Sequence, residues 1–271
     1  MPHHGALTIT VLGSGTSVGV PTIGCSCEVC RSSDPRDKRR RPSVLIRYTF
    51  EGVERNIVID TSPDFRSQAL SAGIRSLDAV LYTHNHADHI VGLDDIRPFN
   101  YGRSERIPLY GAPETLHTLE RMFPYAFADA HTHPGGVPRV EARTLDTGPL
   151  ELFGLDFQPV QVRHGPRLIT AFRFGRAAYV TDQSDIPDES IPFLEDLDVL
   201  FLDALRRHPH PMHSTIDQSL AWVERLRPKR AYFTHICHEL GHEETNATLP
   251  AGVELAYDGL VIEVPGKAAD G

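Results

Sequence analysis

The chain has 271 residues, with 27 Lys plus Arg against 36 Asp plus Glu and a net charge of −9. A hydrophobic fraction of 40% beside 23% charged residues excludes a disordered chain. The acidic balance argues against nucleic-acid binding through the whole surface. No run approaches the ~20 apolar residues of a membrane span, and the start Met1-Pro2-His3-His4-Gly5 lacks a secretory-signal pattern.

The unusual feature is 15 His beside 4 Cys and 1 Trp, because imidazole is the commonest metal ligand and the usual near-neutral acid or base. Three of the four Cys crowd into Cys25-Ser26-Cys27-Glu28-Val29-Cys30. That spacing reads as metal binding in a reducing compartment. The expectation is a soluble, cytoplasmic protein forming one domain over 1–271, with no linker or repeat dividing it.

In chain order, residues 7–12 read as a strand, followed by the turn-rich stretch 13–19. Residues 43–50 and 53–60 are β-rich and joined at Glu51-Gly52 as a hairpin. A helix is expected over 62–72, with Ser62 as N-cap, Pro63 in its first position and Gly73 closing it. Residues 77–83 form a buried strand, 107–110 a short one and 113–122 a helix. Strands follow over 140–145, 155–162, 169–174, 177–181 and 199–202. A helix over 215–226 with Ser214 as its candidate N-cap, a strand over 230–234 and a last strand near 260–264 complete a mixed α/β chain. Polar tails repeatedly follow the strands: Asp60, His84, His164, Asp182, Asp203 and His235. Strand ends are rigid places from which to aim ligands into a shared cleft.

The core signal is Thr83-His84-Asn85-His86-Ala87-Asp88-His89, directly after a buried strand. Four ligand-type side chains within six residues are hard to explain as packing, since buried His and Asp without partners are costly. His84, His86, Asp88 and His89 match in full the His-x-His-x-Asp-His signature of the metallo-β-lactamase superfamily, which this chain resembles over nearly its whole length. The resemblance implies an α/β fold, the four-layer αβ/βα sandwich of two mixed sheets flanked by helices, with metals at one edge. It also implies ligand roles. His84, His86 and His164 would hold one metal, Asp88, His89 and His235 the second, and Asp182 would bridge both. Asp88 stands, with His213, among the implied catalytic residues. Imidazole and carboxylate donors suit Mn, Zn or Fe. Two such ions roughly 3.5–4 Å apart can share a nucleophilic hydroxide. Asp60 either orients a ligand or closes the motif loop, or caps the following helix, and both can hold. Asp at position 182, where lactamases commonly use Cys, resembles the dinuclear phosphodiesterases, ribonucleases and lactonases. The diiron branch carries Glu where this chain has His86.

A structural zinc site needs four closed ligands, so the loop at about 24–31, with Cys25, Cys27 and Cys30, needs one more. Cys237 and His238 are the candidates. The segments Gly13-Ser14-Gly15-Thr16-Ser17, Asp34-Pro35-Arg36, Arg40-Arg41-Pro42-Ser43 and Thr234-His235 to His238 are similar to the cyclic-phosphate phosphodiesterases of the carbon–phosphorus lyase pathway. That resemblance implies His238 as fourth zinc ligand. It also implies His213, in the loop after Asp203, as a residue that assists catalysis; His208 and His210 are expected to be solvated loop residues. A dinucleotide-binding reading of Gly13-x-Gly15-x-x-x-Gly19 fails, because Pro21 and the Cys cluster stand where its helix should run. That loop instead lets backbone pass close beneath the metal edge. The basic run Arg36, Lys38, Arg39, Arg40 and Arg41 reads as a solvated surface stretch, with no aromatic residues for base stacking. His117, His131 and His133 are taken as non-ligands, and the loop 124–138 as a possible wall of the substrate pocket.

The implied activity is hydrolysis of a small cyclic phosphodiester such as phosphoribosyl 1,2-cyclic phosphate, with two catalytic divalent metals and one structural Zn. The rivals are a transfer-RNA 3′ processing endoribonuclease, a lactonase or thioesterase, and a non-enzymatic zinc protein that binds nucleic acid. The expected partner is a small molecule, without nucleic acid or membrane. A homodimer is the default oligomer.

Overall fold

A computed structural model describes residues 5–128 and 136–266. The first strands are β1 (Leu7–Gly13), β2 (Ser43–Phe50), β3 (Val53–Ile59), β4 (Ala79–Leu81), β5 (Ile107–Gly111) and β6 (Val140–Thr144). The later ones are β7 (Leu150–Leu152), β8 (Leu155–His164), β9 (Arg167–Phe174), β10 (Ala177–Val180), β11 (Val199–Asp203), β12 (Arg230–Thr234), β13 (Val253–Leu255) and β14 (Val261–Val264). They form two seven-stranded sheets, ordered β14-β1-β2-β3-β4-β5-β6 and β13-β12-β11-β10-β9-β8-β7.

Period-two alternation explains the layers. Leu7, Ile9 and Val11 of β1, Val44, Ile46 and Tyr48 of β2, and Phe157, Phe172, Tyr179 and Phe201 of the second sheet share one core between the sheets. Their neighbours Leu45 and Val58 turn to the other face of the first sheet, against Phe65, Ile90, Leu93 and Leu116. Ala178, Val180, Leu200 and Leu202 turn to the far face of the second sheet, against Ile216 and Leu226. The result is helix, sheet, sheet, helix: the expected αβ/βα sandwich of metallo-β-lactamases.

The direction of the strands positions the site. β3 and β4 are parallel, as are β10, β11 and β12. Two antiparallel pairings, β8 with β9 and β9 with β10, give β8 the same direction as β10. Asp60, His84, His164, Asp182, Asp203 and His235 therefore all stand at C-terminal strand ends along one edge. Asp60, Asp182 and His235 have left-handed φ values of 64°, 58° and 57°. Each turns the chain sharply where its strand stops, and Asp and His tolerate that region better than most residues.

Several local expectations are corrected. The helix expected over 62–72 spans Phe65–Ser71, and Ser62 is not its cap. Ser62 Oγ instead donates to Gln68 Oε1, and its carbonyl accepts the Phe65 N–H in a preceding turn. Thr215, not Ser214, caps the helix Ile216–Leu226, in a reciprocal box with Gln218. The short edge strands β7 and β13 and the helix His242–Asn246 were not anticipated. The Glu51-Gly52 hairpin holds as expected, both residues having positive φ.

Gly13 and Gly15 do let two chain segments pass at close range. A Cβ at Gly13 would lie 2.0 Å from the Arg41 carbonyl oxygen, and one at Gly15 would lie 2.8 Å from that of Arg39. Backbone on the far side cannot swing away. Gly13→Ala should therefore destabilise the fold by about 1–3 kcal/mol, read as a lower urea midpoint. An unchanged midpoint would show that the loop gives way.

His242 is buried, and burial, followed by Arg36 and Arg39, lowers its pKa from 6.5 to about 4. The native state keeps this imidazole neutral, so the unfolded chain takes up the proton first as pH falls. Its contribution is whole above pH 6.5 and is lost progressively down to about pH 4. His242→Gln should flatten the decline of stability across that window relative to the parent. A parallel decline in both proteins would contradict this.

Candidate metal centre

Asp60 organises the motif loop. Its buried carboxylate accepts from Thr83 N–H at 2.9 Å, from Thr83 Oγ1 at 2.8 Å and from His89 Nδ1 at 2.7 Å. Asp60 thus orients a motif histidine and closes the loop, and it does not cap the following helix. Thr83 Oγ1 spends its proton on Asp60, so it accepts from His84 Nδ1 at 3.0 Å. Both Nδ1 atoms are thereby tied back, leaving the Nε2 atoms of His84 and His89 for the cluster. His164 follows the same logic through Nδ1, which donates to the Met212 carbonyl at 2.9 Å.

Two ligand groups result. His84, His86 and His164 bring one donor atom each within 4.8 Å of one another, and so do Asp88, His89, Asp182 and His235. Asp182 Oδ2 lies 3.2 Å from His89 Nε2, and its Oδ1 lies 3.2 Å from His235 Nε2. It also groups with His164 and His213. This placement between the two groups suits a bridging ligand.

Electrostatics favour a cation here. Burial and neighbouring imidazoles push His84 well below the usual histidine range, and burial also lowers His86 and His164. Neutral imidazole is the ligand form. Burial opposes charge on His89, but Asp182, Asp88 and Asp60 override it and hold the imidazole well above its usual range. The same field attracts a metal dication, which would release that proton on binding. The buried Nε2 atoms of His84, His89 and His235 make no hydrogen bond. Orphaned nitrogens beside carboxylates fit a metal site and are costly otherwise, at about 1–3 kcal/mol each.

The cysteine loop closes a second site. Cys25, Cys27 and Cys30 Sγ lie 3.2, 3.5 and 3.6 Å from His238 Nδ1. Tetrahedral zinc with Zn–S of ~2.3 Å and Zn–N of ~2.0 Å has S···N edges of about 3.5 Å. The backbone N–H of Cys30 lowers the Cys27 thiol to about 7, toward the thiolate form. Cys237 stays outside this group; it is buried and pushed up to about 11.

His213 Nδ1 makes a 2.7 Å hydrogen bond with the buried Asp203 Oδ2, and its ring stacks on His235 at 4.5 Å. Asp203 was visible as a strand-end acid, but its pairing with a residue ten positions later was not. His208 is exposed as expected. His210 is half-buried, with its ring 5.0 Å from that of His213, and is not the solvated residue expected. His117 is exposed, while His131 and His133 lie outside the described residues. The basic run is not a solvated stretch either. Arg36 pairs with Asp34 and Glu243, Arg39 with Asp37, Arg40 with Asp258 and Arg41 with Asp64. Lys38 donates to the Cys30 carbonyl.

Fold and donor set are those of a metal-dependent hydrolase, with residues at a strand-end edge that could hold divalent metals. A family model for the beta-lactamase superfamily domain matches residues 55–236. A crystal structure of a diphosphatase from the PhnP family superposes with a TM-score of 0.89 at 52% identity, covering 96% of this chain and 98% of that one. Zn(2+)-bound PqqB from Methylobacterium extorquens shares the fold, with a TM-score of 0.75 at 20% identity over 95% of this chain and 100% of that one. An octanoyltransferase of Porphyromonas gingivalis is 39% identical over 92% of this chain, which spans only 50% of that protein's length. The chain belongs to the metallo-β-lactamase superfamily and, within it, resembles the PhnP family. Among the described residues, no helix is long and apolar enough to cross a membrane.

Asp60→Asn keeps the size of the side chain but weakens its hold on His89 and Thr83. Metal affinity should fall about 10–100-fold with the fold intact, measured by chelator competition. Parent-like affinity would remove the orienting role.

Proposed function

We propose that this chain is a dinuclear metal-dependent phosphodiesterase acting on a small cyclic phosphodiester, of the class of phosphoribosyl 1,2-cyclic phosphate. The observation that carries this reading is the all-His/Asp donor set, with Asp182 between its two halves and a His–Asp pair beside it. His84, His86 and His164 would hold one ion and Asp88, His89 and His235 the other, with Asp182 common to both. When bound, the metals supply a water acidified toward a pKa of ~7 and positive charge for the phosphoryl oxygens.

The remaining work falls to His213. Its Nδ1 is committed to Asp203, so Nε2 is the atom free to meet substrate. Burial pushes the Asp203 carboxyl well above its usual range and the His213 imidazole below its own. A protonated Asp203 donates to Nδ1 and leaves the neutral ring's own proton on Nε2, which can pass to a leaving alkoxide while Nδ1 takes up the proton of Asp203. The ring is held between His164 and His235, at 4.9 and 4.5 Å, so it cannot turn away from the cluster.

The reading is further supported by the PhnP-family neighbour being a diphosphatase. An RNA substrate is disfavoured, because the arginines of the basic run are spent on Asp34, Asp37, Asp258 and Asp64. The implied Cys25, Cys27, Cys30 and His238 zinc, cytoplasmic location and homodimer belong to the same proposal.

Metal-loaded protein should cleave a ribose 1,2-cyclic phosphate faster than 2′,3′-cyclic nucleotides, precursor transfer RNA or a lactone, and chelation should abolish turnover. His213→Ala should lower kcat by about 10²–10⁴-fold, with a smaller change in KM. Cleavage of the lactone with all phosphodiesters untouched would contradict the proposal.

A further inference from the structure

We propose that the buried Arg39–Asp37 pair is a positioning device that couples the cysteine site to the His/Asp cluster, by gripping the segment that carries both His235 and His238. The proposal rests on the metal-site reading given above.

Arg39 is the largest fully buried side chain among the described residues. It is paired with Asp37 at 2.9 Å, the two side chains being 0% and 7% exposed. Burying a guanidinium is expensive unless its donors are used, and here they are. Nη1 donates to the Cys237 carbonyl at 3.0 Å, Nη2 to the Leu240 carbonyl at 2.7 Å and Nε to the Arg36 carbonyl at 3.3 Å. Asp37 Oδ1 also accepts the His242 N–H at 2.9 Å. The carbonyls gripped by Arg39 bracket His238, the residue that meets the three thiols.

The same segment is fixed on its other flank. Ile236 N–H donates to the Ser14 carbonyl at 2.9 Å, and its carbonyl accepts Thr16 N–H at 3.1 Å. Gly15 packs directly on Arg39, and the Arg39 backbone pairs with Val20 at the foot of the cysteine loop. Immediately before these grips sits His235, whose left-handed φ of 57° needs support from its surroundings. Movement of the segment would displace a ligand of each centre at once. The planar fork of arginine can hold two separate carbonyls and a carboxylate together, and the ammonium of lysine is a poor substitute.

The test uses the full chain with Arg39→Lys and Arg39→Met. Circular dichroism monitors the fold. Zinc transfer to a chromophoric chelator reports on the thiolate site, and Co2+ titration by d–d absorption reports on the His/Asp cluster. Both variants should release zinc faster and bind Co2+ at the His/Asp cluster more weakly, each by about 10-fold or more, with native dichroism. Cys27→Ser, which leaves the clamp intact, should also weaken Co2+ binding at the His/Asp cluster. If Arg39→Met unfolds, Arg39→Lys carries the test alone. Folded Arg39→Lys with parent-like behaviour at both sites, or altered only at the cysteine site, overturns the coupling. Parent protein that binds no Co2+ at the His/Asp cluster overturns the metal reading, and the coupling with it.

Discussion

Asp60, Asp88 and Asp182 are buried around His89 at one edge of two packed sheets. Buried carboxylates repel one another and cannot shed their desolvation cost into water, so they persist only with positive charge among them. Much of the architecture serves to assemble that concentration of charge. Six strands point the same way, three of them end in left-handed turns, and each delivers one acid or imidazole. A cluster that draws a proton onto His89 against complete burial is equally suited to draw divalent cations. The hydrophobic cores on both faces of each sheet keep the strand ends from relaxing apart.

Beside this charge sits a differently tuned pair. His213 and Asp203 share a hydrogen bond at the outer side of the cluster, with His213 only 11% exposed on its side chain. One face of the ring stacks on His235, and Nδ1 is committed to Asp203. The division of labour follows from position. On the proposed function, residues between the strand ends would hold cations, and a residue on a loop above them would move a proton. That loop is itself tied down, by Met212 to His164 and by Arg206 to the carbonyls of His208 and Pro209.

What the sequence reveals depends on how close the cooperating residues lie along it. His84, His86, Asp88 and His89 are legible because one short loop carries four donors, and no packing pattern explains them. The long strands are legible because they are runs rich in β-branched and other apolar residues, as in β1 and β2. β7 and β13 have three residues each, too short to show a period. Cap positions slipped at Ser62 and Ser214, because those hydroxyl groups serve other needs or none, while a neighbour has the right geometry. Asp203 resembles any strand-end acid until His213 folds over it. Arg39 is the clearest case: within a basic run it looks solvated, and only tertiary packing, with Leu240 about 200 residues away supplying a carbonyl, makes it a buried clamp.

On this account one strand-end edge would hold two ions with Asp182 common to both, and Cys25, Cys27, Cys30 and His238 would hold a separate zinc. Anomalous diffraction from crystals of the metal-loaded protein, collected at the zinc and manganese edges, tests it most directly. The account predicts two peaks in the His/Asp cluster, one on each side of Asp182, and a zinc peak within the cysteine group. A single peak at the cysteine group, with the His/Asp cluster empty under saturating metal, would contradict it.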